Sequence, residues 1–372
     1  MRSPFMKLIV VLFCSCIFVP NLSSAGTKVV KESVRSYVET ALAAMKAHSI
    51  NKHKINWDEL REKVMSRVSS AEEPVDTYEA IRFGLNQLND HHSFLQLNET
   101  LATKEKSRRP EYAATLDRVK EQDSTSAAVL DSGAKLDFSK RKSPSAESRV
   151  HLVGKCAVPQ VVVPSRSNDE EPVLRAYAEE VLAFISAADV QNTCGWIVDL
   201  RGNGGGNVAP MLAALMPLLG EGTQVSAVDG DGKFLHFWLR GRVAGVTELD
   251  GKKIEMLRLE KPVQQLRHQR GKTPRIAILI DGQTGSSGEL VAIAFKGRPS
   301  TRFFGTRTAG ASTSTEGFTL ADGANLVIAT AVDVDRKGQR YPSGVLPDVT
   351  VLSTKGRDTE LEQAIAWVSA TK

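Results

Sequence analysis

The chain has 372 residues, 41% hydrophobic and 24% charged, a length and composition that admit one large globular domain with an appendage or two modest ones. Its formal charge is +5; without Arg2 and Lys7, which belong to the leader described next, the 48 Lys+Arg become 46 against 43 Asp+Glu, or +3. So even a balance gives no ground for a nucleic-acid partner or an anionic membrane surface.

Arg2 and Lys7 precede an uncharged apolar run, Leu8 to Pro20, followed by Asn21-Leu22-Ser23-Ser24-Ala25. Small residues at Ser23 and Ala25 suit a signal peptidase, so residues 1–25 read as an export signal removed from the mature chain. The run is too short for a bilayer span, and no later run approaches that length. Bulky Phe13 disfavours lipid attachment at Cys14. The expectation is an exported protein, periplasmic or secreted. Of four cysteines, Cys156 and Cys194 remain after cleavage, and a disulfide and two buried thiols are both open.

From 26 to 98 the pattern predicts a helical cap. Val30, Val34, Tyr37, Ala41 and Met45 share one helix face. Asn56 and Glu59 open a second helix carrying Trp57, Leu60, Val64 and Val68, and Asp76 with Glu79 opens a third carrying Tyr78, Ile81, Leu85 and Leu88. Residues 99–147 are charged or small without a sustained period and read as a polar insertion or linker, with one short helix at Glu111 to Lys120.

From 148 to 372 strands and helices alternate, which predicts a mixed α/β core. Strands are expected at Val150–Val153, Gln160–Val163, Gly195–Leu200, Ile276–Ile280, Arg302–Gly305, Asn325–Val334 and Val349–Leu352. A further strand-like section runs from Thr223 to Leu259. Helices are expected at Pro172–Ala187, Asn207–Leu219, Leu290–Phe295 and Thr359–Ser369.

Three stretches carry chemistry. Asp281-Gly282-Gln283-Thr284-Gly285-Ser286-Ser287-Gly288-Glu289 joins a buried strand to a helix. It reads either as a nucleophile elbow or as a plain helix cap closed by Glu289. Asp199-Leu200-Arg201-Gly202-Asn203-Gly204-Gly205-Gly206-Asn207 exposes backbone N–H groups that suit an oxyanion. Its spacing fits neither the dinucleotide fingerprint nor a P-loop. Asn89-Asp90-His91-His92-Ser93-Phe94 sets two of the seven histidines beside an acid and a hydroxyl. Neither His-Glu-x-x-His nor Cys-x-x-Cys occurs, so a metal is not expected.

In order, Asp-x-His-Ser, Asp-Leu-Arg-x-Asn-x-Gly-Gly and Thr-x-Ser-x-x-Glu resemble motifs of the tail-specific, or C-terminal processing, serine peptidases. Gly305-Thr306-Arg307-Thr308-Ala309-Gly310-Ala311 and Gly344-Val345-Leu346-Pro347-Asp348 resemble that family's later motifs. The resemblance implies a crotonase- and Clp-protease-like ββα superhelix and a polypeptide substrate, with no cofactor or metal. It makes Ser286 the nucleophile, and Ser287 with Gly205 or Gly206 the oxyanion donors. Ala311 stands where the Ser-Lys branch has its lysine. His92 matches the histidine of the tricorn-core and nisin-resistance-type branch and is the expected general base. Tyr341 stands where tricorn-like members carry a glutamate, so the acid partner stays open among Asp90, Glu316, Asp333 and Asp335. The peptide-tail-binding PDZ module has no counterpart in 99–147. The expected activity is cleavage of extended or unfolded polypeptides through an acyl-enzyme. The alternative is a non-catalytic peptide- or small-ligand-binding protein on the same scaffold, for which retinoid-binding relatives are a precedent.

Overall fold

Alternating apolar residues buried on both faces of central strands dictate the layering of this α/β chain. The computed structural model describes residues 31–110, 147–166, 170–266, 273–352 and 356–370. The export signal read at 1–25 and the short helix read at 111–120 lie outside them.

Strands β2 (Arg149–Val153), β3 (Cys156–Val162), β4 (Gly195–Asp199), β9 (Arg275–Ile280), β10 (Thr301–Gly305) and β13 (Val349–Thr350) form one sheet, ordered β13-β10-β9-β4-β3-β2. It is parallel except for the β2–β3 hairpin. Along β9, Ile276, Ile278 and Ile280 face the main core, while Ala277 and Leu279 face Leu361, Ala364 and Val368 of the last helix, Thr359–Ser369. The second sheet is antiparallel and consists of β1 (Phe94–Gln96), β5 (Gly222–Asp229), β6 (Phe234–Arg240), β7 (Val243–Thr247), β8 (Lys253–Arg258), β11 (Thr313–Thr319) and β12 (Asn325–Val334). Its order is β1-β12-β5-β6-β7-β8, with β11 on the other edge of β12.

The cap helices are α1 (Glu32–His48), α2 (Trp57–Ser66) and α3 (Tyr78–Asn86). Their apolar faces close over β1 and β12 through Leu95, Leu326 and Ile328. The hydroxyls of Tyr37 and Tyr78 both donate to Asp322 in the β11–β12 turn, at 2.8 and 2.6 Å. No helix among the described residues is long and apolar enough to cross a membrane.

Four expectations need correction. Asn56 caps α2 as read, but the third helix begins with a tight turn, Pro74–Thr77, whose capping box pairs Glu73 with Asp76. After helix α5 (Glu171–Ala188), the helix expected over Asn207–Leu219 breaks at Leu215 into α6 (Val208–Ala214) and α7 (Met216–Leu219). Pro217, with no N–H to donate and a ring that crowds the preceding turn, accounts for the break. Helix α4 (Glu99–Arg108) occupies the start of the stretch read as polar insertion. Its one buried residue, Glu105, forms a buried ion pair with Arg82 of α3. Strand β11 has no counterpart among the strands expected, because Thr-Ser-Thr-Glu-Gly-Phe-Thr presents no apolar alternation.

Cys156 and Cys194 form a disulfide, closing the question their spacing left open. It ties the start of β3 to the entry of β4 across 38 residues. In the chain-entropy view a loop of that size stabilises by about 4 kcal/mol. Reduction, or the Cys156→Ser, Cys194→Ser pair, is therefore expected to lower the urea midpoint by the equivalent of about 3–4 kcal/mol.

Candidate active site

β4, β9 and β10 lie side by side and parallel, so the segments leaving their C-terminal ends emerge together. These are the glycine loop after Asp199, the elbow after Ile280 and the segment after Gly305. Three stretches far apart in the chain meet there, as the crevice beyond parallel strand ends favours.

The elbow is built by Asp281, whose Oδ1 accepts from the N–H groups of Gly202, Gln283 and Thr284 at 3.0–3.1 Å. Thr284 Oγ1 donates to the Leu200 carbonyl at 2.9 Å, and Gly285 N–H to the Asn203 carbonyl at 2.9 Å. Ser286 is forced to φ 51°, ψ −123°, at the N-terminus of α8 (Ser287–Phe295). A serine in that region is strained, and such strain persists where the surroundings over-determine it.

Glu289 holds the strain in place. Fully buried, it accepts from Ser286 N–H at 3.1 Å, from Gly310 N–H at 2.9 Å and from the Thr308 hydroxyl. Burial pushes its carboxyl up, against the donors that surround it. Glu289 thus closes the cap of the helix on whose first bend Ser286 sits strained.

An account of the glycine-loop amides separates the two glycines. Gly202 N–H goes to Asp281, Asn203 N–H to the Leu200 carbonyl, Gly204 N–H to Ser165 Oγ, and Gly205 N–H to Asn203 Oδ1. Gly206 N–H has no acceptor among the described residues, and neither has Ser287 N–H. Ser287 Oγ donates to the Gly206 carbonyl at 2.5 Å, which sets those two residues against each other.

Gly205 is therefore needed for space and not as a donor. Its φ is +101°, and a Cβ there would lie 2.7 Å from Ser286 Cβ and 2.9 Å from Ser287 N. Gly205→Ala is expected to displace the elbow and lower turnover about 100-fold, with a measurable loss of thermal stability.

His92 sits in a loop with positive φ at Asn89 and His91. Asp90 is not its ring partner: Oδ1 accepts from the N–H groups of His92 and Ser93 at 3.0 and 2.8 Å, and Oδ2 from the Ser93 hydroxyl at 2.6 Å. Ser93 Oγ in turn accepts from Ala329 N–H of β12 at 2.9 Å. His92 is half-buried, while the neighbouring His91 is exposed. The His92 Nδ1 lies 2.7 Å from Thr313 Oγ1, and its Nε2 has no partner among the described residues. Burial lowers its basicity, outweighing the charge of Asp90, which acts the other way.

No other candidate acid meets the ring. Asp333 is buried and its carboxyl is pushed well up by burial and then by the charge of Glu289; its oxygen accepts from Ser314 Oγ at 3.4 Å and not from the ring. Asp335 accepts from Lys337 and Gln339 N–H and from the Tyr341 hydroxyl, and Glu316 is exposed on β11. Ala311, which the resemblance sets at the lysine position, is buried. Among the described residues, no group of three or more His, Cys, Asp or Glu is disposed to hold a metal ion.

The segment 308–313 couples the two halves. Its Thr308 and Gly310 bind Glu289 below Ser286, Ala309 N–H donates to the Thr284 carbonyl at 2.8 Å, and Thr313 holds His92.

The model of peptidase family S41 matches residues 161–351. The chain is similar to the nisin-resistance protein of Lactococcus lactis subsp. lactis, at 26% identity over 343 residues, 92% of this chain and 89% of that protein. Among solved structures it is similar to a lipoprotein from Streptococcus agalactiae, with TM-score 0.61, 21% identity, and 90% and 96% of the two chains covered. It is also similar to the photosystem II D1 C-terminal processing protease, with TM-score 0.51, 17% identity, and 91% and 98% covered. At these identities the structural likeness is one of fold. The family match spans just over half of the sequence, and the chain belongs to peptidase family S41.

Proposed function

We propose that this chain is an exported serine endopeptidase that cleaves extended or unfolded polypeptides. The observation that carries the reading is the strained Ser286 beside two uncommitted amides, those of Ser287 and Gly206. Neutral His92 accepts the Ser286 proton at Nε2 as the hydroxyl attacks the scissile carbonyl. The two amides receive the oxyanion, and the imidazolium returns the proton to the leaving amine. Water then hydrolyses the acyl-enzyme by the same base. Export is supported by the leader at 1–25 and by the lipoprotein that the chain resembles.

A binding protein without catalysis is the second reading, favoured by one observation: none of the four candidate carboxylates touches the His92 ring. A fluorophosphonate probe decides between them. Covalent labelling, mapped by mass spectrometry to the peptide containing Ser286, is the expected result; an unlabelled protein would leave the binding reading.

The lowered basicity of His92 fixes the sign of the pH dependence. The base works when neutral, so kcat/KM is expected to stay level at neutral pH and fall only below the ordinary imidazole value of about 6.5. A pH–rate profile with an acid limb above that value would contradict the burial argument.

A further inference from the structure

We propose that Thr313 is the positioning residue of the site, its hydroxyl oxygen accepting from Nδ1–H of His92 so that Nε2 remains the basic nitrogen. The inference rests on the peptidase reading of Ser286 and His92 and supplies what that reading lacks, a partner for the far side of the imidazole.

Each carboxylate that sequence nominated is committed elsewhere: Asp90 to backbone, Asp335 to a turn and Asp333 to Ser314, with Glu316 in solvent. Among the described residues Thr313 alone hydrogen-bonds the ring, at 2.7 Å, and is itself buried. Its side chain is β-branched and stiff, and its backbone is fixed by pairing with Val332 immediately before the register shift at Ser314/Thr315. The acceptor is thus built into a strand edge, a rigid support for a ring that arrives from the cap.

The direction of the bond is the one the base role requires: Nδ1 meets the Thr313 hydroxyl at 2.7 Å while Nε2 has no partner among the described residues, so a ring that donates at Nδ1 leaves Nε2 free to take a proton. A neutral hydroxyl stabilises an imidazolium less than a carboxylate does, in keeping with the lowered basicity of this histidine.

The test compares Thr313→Val, which keeps the shape and removes the oxygen, with Thr313→Ser, which keeps the oxygen. The valine variant should lose about tenfold or more in kcat with KM nearly unchanged. Because the imidazolium loses an acceptor, the acid limb of its kcat/KM profile should also move to lower pH. The serine variant should restore both. Nitrogen-15 NMR of the wild-type protein should show neutral His92 protonated at Nδ1. Unchanged kcat and pH profile in the valine variant, a serine variant as slow as the valine one, or neutral His92 protonated at Nε2 would each overturn the proposal. If the ring carries its proton at Nδ1 and answers to the valine change while a fluorophosphonate leaves Ser286 unlabelled, the contact with Thr313 stands and the peptidase reading is what fails.

Discussion

Ser286→Ala is expected to reduce turnover of an unfolded model polypeptide by at least about four orders of magnitude and to leave the circular dichroism unchanged. The oxygen that forms the acyl bond is gone, and neither the amides nor the imidazole can substitute for it. His92→Ala should cost a similar factor, and the double variant little more than either alone, because nucleophile and base act on one proton. The fold should survive, since the Glu289 carboxylate binds the backbone N–H of Ser286, which the substitution keeps. Ser286→Gly sharpens the test: φ 51° suits glycine, so this inactive variant should be more stable than wild type by up to about 1 kcal/mol. Strain relieved by loss of activity would mark the elbow as shaped for reaction. Undiminished turnover in the alanine variant would end the peptidase reading.

How much of this site was legible follows from the range of its interactions. The elbow is local: an apolar strand, small residues and a helix start, with Glu289 three residues after Ser286. Its neighbour, the glycine loop, was visible for the same reason, but the choice between Gly205 and Gly206 was not. That choice depends on Asn203 Oδ1 and Ser165 Oγ taking the earlier amides, which only the folded loop reveals. His92 stands out through a family motif and not through its surroundings. The contact of Thr313 with its ring is not legible at all, since it spans 221 residues and joins two segments with no apolar pattern of their own.

The fold shows the same division. β9 is legible as an unbroken apolar run because both of its faces are buried, one against the main core and the other against the last helix. β11 has polar residues on both faces and owes its existence to pairing with β12, a tertiary cause that overrides weak local preference. α4 was obscured because its anchor in the interior is an ion pair between Glu105 and Arg82, where a hydrophobic stripe would be sought. Asp90, nominated as a catalytic acid, instead spends its carboxylate on the backbone of the loop that presents His92. Type and neighbourhood suggested chemistry; the hydrogen-bond partners assign it a structural task.

The largest stability effect should come from Arg201, one residue before the glycine loop begins. It is buried, binds Asp199 through Nε and Nη2, and reaches Asp358 and Glu360 through Nη1 at 2.6 and 2.9 Å. One guanidinium thereby joins the end of β4 to the start of the last helix. Burial alone would lower its basicity, yet the carboxylates raise it above the ordinary value. Arg201→Ala leaves Asp199 and Glu360 in the interior without their cation and is expected to cost about 3–5 kcal/mol in denaturant unfolding. Arg201→Lys keeps the charge but not the planar fork and should recover only part of the loss. The pH dependence has a definite sign. Burial pushes the Asp358 carboxyl up, but the bonds from Arg201 outweigh it and hold the group below the usual carboxylate value. Its contribution is therefore complete above that value and is lost as pH falls through the folded one, so the gap between wild type and Arg201→Ala should narrow in acid. A gap below about 1 kcal/mol at neutral pH would show that solvent reaches these groups and that the network is not what fastens the glycine loop to the core.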